Sequence, residues 1–299
     1  MVESVNKNLP RISIILGNYN YDCWVERAVV SILEQEYPHL ELLVIDDGST
    51  DNSVKILEKY KAQYHYWNPR NNQGHYSWIK EASDRATGEL INWLCSDDYL
   101  APGALTRVGR AYLDGPFDVI TGKAVRWTED DRFETELEPF VPHSFEDLFK
   151  KGIGLPQPST FIRTELFKRA LPPPGLVNIL VDTATYLRVW MEKDSEISCC
   201  VLPEVLSNVQ NHRKAQTVSQ GLRTKEEIKK IYSFLASETV GLKARLLTER
   251  SRLHHFLDLL EEIASHPEKG LGKLLQLFSQ YPEIIYQRSF WGAVKKKLY

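Results

Sequence analysis

Between Arg11 and Leu94 the chain alternates short apolar runs with amphipathic segments, and few architectures accept that rhythm. The runs Ile12 to Leu16, Leu40 to Ile45, Gln63 to Trp67 and Glu89 to Leu94 have the length and composition of strands. Trp24 to Gln35, Ser53 to Lys61 and Tyr76 to Ala86 have helical spacing between them. Strands joined through helices run parallel, so the pattern predicts an α/β fold with a doubly wound, mostly parallel sheet. All strand carboxyl ends then share one rim, which is where open α/β sheets bind ligands.

Further on, the pattern predicts a helix from Pro102 to Tyr112 and strands at Phe117 to Trp127 and Phe133 to Phe140. It predicts helices at Thr164 to Ala170 and Val181 to Glu192, and a last strand at Glu196 to Leu202. Beyond Gly221, apolar residues such as Ile228, Ile231, Phe234 and Leu235, and later Leu253, Phe256, Leu257 and Leu260, recur at helical spacing. This divides the chain into a ligand-binding domain, 1–221, and a helical C-terminal subdomain, 222–299.

The charge follows the same division: residues 1–221 carry 23 Lys+Arg against 31 Asp+Glu, and residues 222–299 carry 14 against 9, giving −8 and +5. An acidic motif-bearing domain argues against nucleic acid as a partner. The basic end, Arg288 to Lys297, is open to two readings: a solvated helix end, or a peripheral contact with anionic lipid on the inner membrane face. No stretch reaches the ~18 apolar residues of a membrane span, and Met1 to Pro10 has no signal-peptide core, so a cytoplasmic protein is expected. Cys23, Cys95, Cys199 and Cys200 fit neither a disulfide framework nor a zinc motif.

Three predicted strand ends are rich in polar groups. The first is Gly17-Asn18-Tyr19-Asn20, where Gly17 permits close backbone approach and Tyr19 offers a flat face to a base. The second is Asp46-Asp47-Gly48-Ser49-Thr50-Asp51, part of which suits helix capping. The third is Asn68 to Gly74, with Asn71-Asn72-Gln73-Gly74, and at the end of the next strand stands Ser96-Asp97-Asp98. Two adjacent acids repel unless a cation or a set of donors sits between them, and oxygen ligands with open water positions suit Mg²⁺ or Mn²⁺ bridging a diphosphate. Asp182, among apolar neighbours at helical spacing, is either a helix cap or a general base. His212, in Gln210-Asn211-His212-Arg213-Lys214, is either a satisfied histidine or part of a flexible loop over the diphosphate.

These segments, in this order, resemble the family 2 glycosyltransferases of the glycosyltransferase A-type fold. The resemblance runs from Ile12 to Ser219 and is most specific from Asn72-Gln73-Gly74 through Ser96-Asp97-Asp98 to Pro102-Gly103-Ala104-Leu105. It implies an inverting transferase that moves a sugar from a nucleotide-sugar, a UDP-sugar by expectation, to a hydroxyl of a glycan or lipid-linked acceptor. By the same resemblance Asp47 contacts the base beside Tyr19 and Gly17, and Asp97 lies at the ribose or metal. Asp98 ligates Mn²⁺ or Mg²⁺, and Asp182 is the base. Gln157, Ser159 and Thr160 belong to the turn near the acceptor, and His212 approaches the diphosphate. The arginine often found after Asn-Gln-Gly is absent, and Lys80 is the candidate to replace its charge. Two rivals stand beside this reading: a nucleotidyltransferase, and a catalytically weak or inactive nucleotide-sugar-binding protein of the same fold.

Overall fold

A computed structural model describes residues 8–143, 147, 148, 152–192, 197–215, 220–241, 243–248, 250, 251, 254 and 258. Two compact units are present, Met1–Ser219 and Gln220–Tyr299. In the first, nine strands form one sheet: β1 (Ile12–Asn18), β2 (Leu40–Asp46), β3 (Tyr66–Pro69), β4 (Leu90–Cys95), β5 (Tyr99–Leu100), β6 (Val119–Thr128), β7 (Phe133–Leu137), β8 (Thr160–Arg163) and β9 (Cys199–Asn211). Their order is β3-β2-β1-β4-β8-β6-β9-β5, with β7 paired to β6.

The half formed by β3, β2, β1 and β4 is parallel throughout, as the alternating pattern requires. The other half is mixed: β8 runs antiparallel to both β4 and β6, while β9 runs parallel to β6. Every residue of β1 is buried, because helices cover both faces of a parallel sheet, and such strands read as continuous apolar runs. One face packs Ile12, Ile14 and Leu16 with Val25, Ala28, Val29 and Ile32 of helix α1 (Val25–Leu33). Leu105 and Val108 of a later helix (Ala104–Asp114) join the same cluster. Each fully buried Ile or Leu of this kind contributes about 1.5–3 kcal/mol.

Helices α2 (Ser53–Glu58) and α3 (His75–Arg85) complete the crossovers, the Ala104–Asp114 helix is α4, and α5 (Thr164–Ala170) precedes α6 (Val181–Glu192). The opposite face of the sheet presents Trp93, which packs on Phe167 of α5 and Tyr186 of α6 with ring centroids 5.3 and 6.1 Å apart. Arg188 of α6 donates to the carbonyl of Ala170 at 3.1 Å and Trp190 to that of Pro142 at 3.3 Å. These bonds anchor the second half of α6, whose first turn carries Asp182.

Several elements differ from the sequence expectation, among them β3, which starts at Tyr66 because Lys61–Gln63 forms a short 3₁₀ turn. Thr160–Arg163 is a strand rather than part of a turn, and β5 is a two-residue strand beside β9. The last strand extends to Asn211, well past Leu202, because its polar second half pairs with β6 through Asn211. In the second unit, α7 (Gly221–Ser237) buries Ile231, Tyr232 and Leu235. Leu253, Phe256, Leu257, Leu260 and the basic run 288–297 lie outside the described residues. Among the described residues no helix is long and apolar enough to cross a membrane.

Candidate active site

The carboxyl rim is organised by side chains that bond to one another across strands. Asn18, buried at the end of β1, donates through Nδ2 to Asp46 Oδ2 at 2.7 Å and to Ser49 Oγ at 3.0 Å. Its Oδ1 accepts from Ser96 Oγ at 2.7 Å, so one amide ties the ends of β1, β2 and β4 together. Asp46 also accepts from the Ser49 amide at 2.8 Å and the Ser49 hydroxyl at 2.6 Å. This acid serves the turn.

Asp47 is 2% exposed and equally occupied. Its Oδ1 accepts from Arg70 Nε at 2.9 Å and from the Gln73 amide at 3.1 Å, and its Oδ2 from the Gly74 amide at 2.8 Å. Arg70 reaches on to Glu81 at 2.6 Å, and Glu81 also receives Tyr66 and Asn68. Burial raises the Glu81 pKa, but these donors and the Arg70 charge outweigh it and hold the carboxyl below its ordinary range. Arg70 was not singled out from the sequence; an arginine two residues before Asn72-Gln73-Gly74 carries no local signal that it pairs with Asp47.

Asp97 and Asp98 are treated differently. Asp98 is 8% exposed and accepts the Gln210 backbone amide on Oδ1 at 3.1 Å. Burial and the neighbouring Asp97 push its carboxyl well above the ordinary carboxylate range, against the pull of that amide and of Arg27 and Arg126. Asp97 Oδ2 lies 3.0 Å from His212 Nε2, while its Oδ1 is buried with no hydrogen-bond partner. His212 is itself fully buried, stacked on Trp24 at 4.2 Å and edge-on to Tyr21 at 5.4 Å. The expectation of a flexible loop therefore does not describe His212: β9 carries it directly into an aromatic niche. Burial, followed by Asp97, Cys95 and Asp98, pushes the Tyr21 hydroxyl pKa up, so it stays protonated and donates to the Lys214 carbonyl at 3.2 Å.

A cavity of about 200 Å³ opens over this rim, with Asp97, Asp98, Cys95 and Trp93 on the β4 side and Gln157, Ile179 and Asp182 among its other walls. The Cys95 thiol is pushed well above its usual range by burial, then by the charges of Asp97, Asp98 and Asp182. Asp182 Oδ1 accepts from the Thr183 amide at 2.7 Å at the start of α6.

Other sequence candidates fall elsewhere. Gln157 lines the cavity and donates to the Trp93 carbonyl, but Ser159 and Thr160 are buried behind it. Ser159 donates to the Lys123 carbonyl at 2.8 Å and Thr160 to that of Pro156 at 2.8 Å, so neither hydroxyl is presented to the cavity. The Gly17 backbone is approached closely by a side chain of the protein itself: a Cβ there would sit 2.4 Å from the Trp78 indole. Tyr19 is 43% exposed and outside the cavity lining. Lys80 pairs with Asp84 at 2.5 Å on the exposed side of α3 and is not among the lining residues.

The donor set at the rim fits a small divalent cation. Asp97 Oδ1 is buried without a partner and Asp98 stands beside it, a pair of hard oxygen ligands of the kind Mg²⁺ and Mn²⁺ take together with waters and phosphate oxygens. Among the described residues no cluster of three or more His, Cys, Asp or Glu is arranged to hold a metal unaided.

The site is thus a cleft over the carboxyl rim of a partly parallel α/β sheet, with acids on both sides of it. The chain belongs to glycosyl transferase family 2: that family's model matches residues 13–169, more than half of it. An uncharacterized glycosyltransferase of Haemophilus influenzae is 38% identical over 104 residues, 33% of this chain and 41% of the relative, so this chain spans less than half of that protein's length. S. aureus TarS 1-349 in complex with UDP-GlcNAc superposes with a TM-score of 0.63 over 95% of this chain and 81% of that one, at 18% identity. The mannosyltransferase PcManGT from Pyrobaculum calidifontis, in complex with GDP-Man and Mn2+, superposes with a TM-score of 0.54 over 98% and 85%, at 16% identity. Both likenesses concern the fold.

Proposed function

We propose that this chain is a metal-dependent, inverting glycosyltransferase that moves a sugar from a nucleotide-sugar, a UDP-sugar by preference, to a hydroxyl of a glycan or lipid-linked acceptor. The observation that carries the reading is the meeting of Asp97, Asp98 and Asp182 at one cavity. Asp98, with Asp97 beside it, would hold Mn²⁺ or Mg²⁺ against the donor diphosphate. When bound, the ion neutralises charge that grows on the departing nucleoside diphosphate. The base of the donor lies toward the ends of β1 and β2, where Tyr19 is exposed and Asp47 organises the Arg70–Gly74 segment. TarS with UDP-GlcNAc and PcManGT with GDP-Man and Mn2+ support a nucleotide-sugar donor and a divalent ion on this fold.

Asp182 takes the proton from the acceptor hydroxyl, and the oxygen attacks the anomeric carbon on the face opposite the leaving group. Burial of the apolar wall formed by Trp93 and Ile179 keeps water from competing. Gln157, held by its bond to the Trp93 carbonyl, would orient the acceptor.

The test is turnover of a nucleotide-sugar panel with Mn²⁺, with the anomeric configuration of the product read by NMR. Asp182→Asn is expected to lower kcat by roughly 10²–10⁴-fold while UDP still binds. Retained turnover in both Asp182→Asn and Asp98→Asn, or a product with retained configuration, would overturn the proposal. UDP binding without turnover of any donor would favour the non-catalytic alternative.

A further inference from the structure

From Asp98 a chain of contacts runs through Gln210, in the cavity wall, to Arg27 outside it. The Asp98 carboxylate accepts from the backbone amide of Gln210, and Gln210 is 3% exposed, with both ends of its side chain engaged. Its Nε2 donates to the Thr128 carbonyl at 2.5 Å, and its Oε1 accepts from Arg27 Nη2 at 2.7 Å. Arg27, on α1, lies 4.2 Å over the ring of Tyr99, the residue that follows Asp98, and its Nη1 binds Asp131 at 3.1 Å in the β6–β7 turn. A single guanidinium thus joins the strand end, the hairpin turn and the residue after Asp98.

We propose that Arg27 is a positioning residue for the cation site: by fixing the Gln210 side chain it holds in place the Gln210 backbone amide that the Asp98 carboxylate accepts. The proposal rests on the reading of Asp98 as a cation ligand. The planar fork of arginine suits the task, since one nitrogen serves Gln210 while another serves Asp131 and the flat face covers Tyr99. Partners that orient a metal ligand without touching the metal commonly carry about 10–100-fold of the affinity.

The experiment is a Mn²⁺ titration of the full chain in the presence of UDP, with the free ion followed by EPR and folding by thermal melting. Arg27→Ala and Gln210→Ala are each expected to weaken Mn²⁺ binding by about tenfold or more, and the double variant by no more than the larger single loss, because both act along one path. Arg27→Lys should recover part of the loss, since it keeps the charge and gives up the fork. In turnover the defect should appear in the KM for Mn²⁺, with kcat restored at saturating ion. Unchanged Mn²⁺ affinity in folded Arg27→Ala, or losses that multiply in the double variant, would overturn the role. Should Arg27→Ala not fold, Arg27→Lys and Gln210→Ala decide by the same criteria. Asp98→Asn separates the two claims: if it binds Mn²⁺ like the parent, both fall; if it loses the ion while Arg27→Ala keeps it, only the positioning role falls.

Discussion

Strands β2 and β4 flank β1 and each runs into an Asp-Asp pair, yet the fold treats the pairs in opposite ways. Asp46 and Asp47 receive backbone amides, hydroxyls, the Asn18 amide and the Arg70 guanidinium, and both work as internal struts. Asp97 and Asp98 are almost as deeply placed but under-supplied: one oxygen of Asp97 has no partner, and the Asp98 carboxyl is driven toward its neutral form. A satisfied buried charge stabilises its surroundings, whereas an unsatisfied one costs free energy until something positive arrives. The difference teaches that the dipeptide is not the signal; the donors brought to it are.

The largest expected effect breaks the comparison from the β2 side. Asp47→Ala leaves Arg70 buried without its main partner and frees the Gln73 and Gly74 amides, so thermal or urea unfolding should show a loss of about 3–5 kcal/mol. Asp98→Asn should do the reverse in the absence of metal, leaving the melting temperature unchanged or higher because it relieves the cost of burial and the repulsion from Asp97 that push the Asp98 carboxyl toward its neutral form. In the same variant UDP-dependent Mn²⁺ binding should fall by at least about tenfold. A marked loss of metal-free stability in Asp98→Asn would show that this pair, too, is a strut.

Asn18→Ala sharpens the comparison, since Asn18 joins Asp46 to Ser96. Removing its amide should cost about 1–3 kcal/mol in denaturant unfolding, with the β4 acids losing their alignment to β1. The smallest effect concerns acid. The Glu81 pKa is lowered in the folded state, so its stabilisation is present above the unfolded carboxylate range and lost as pH falls through the folded value. Glu81→Gln should flatten the acid limb of a stability–pH curve. An unaltered limb would place the acid sensitivity elsewhere.

Much of the first half was legible because its signals are local. Apolar runs alternating with helical periods led directly to β1–β4 and their parallel pairing, and α5 and α6 were read with the bounds the structure has. The second half was harder. Thr160–Arg163 is too short and too close to Pro156 and Pro158 to read as a strand, and the polar stretch through Asn211 becomes β9 only because β6 lies beside it. The expectations for Ser159, Thr160 and Lys80 share one weakness: a hydroxyl or amine in a promising segment says nothing of its direction. The structure turns these groups toward the backbone or toward Asp84.

By itself, then, the sequence determined the parallel core, the rim on which chemistry collects and the acids that stand there, because strand period, helix period and turn chemistry are encoded within a few residues. Tertiary structure alone decided which acids are struts and which are under-supplied. It also decided that Arg27 and Gln210 reach Asp98 and that His212 is enclosed by Trp24 and Tyr21. Those outcomes depend on burial and on donors from residues up to 183 positions apart, as between Arg27 and Gln210, and no local pattern records them.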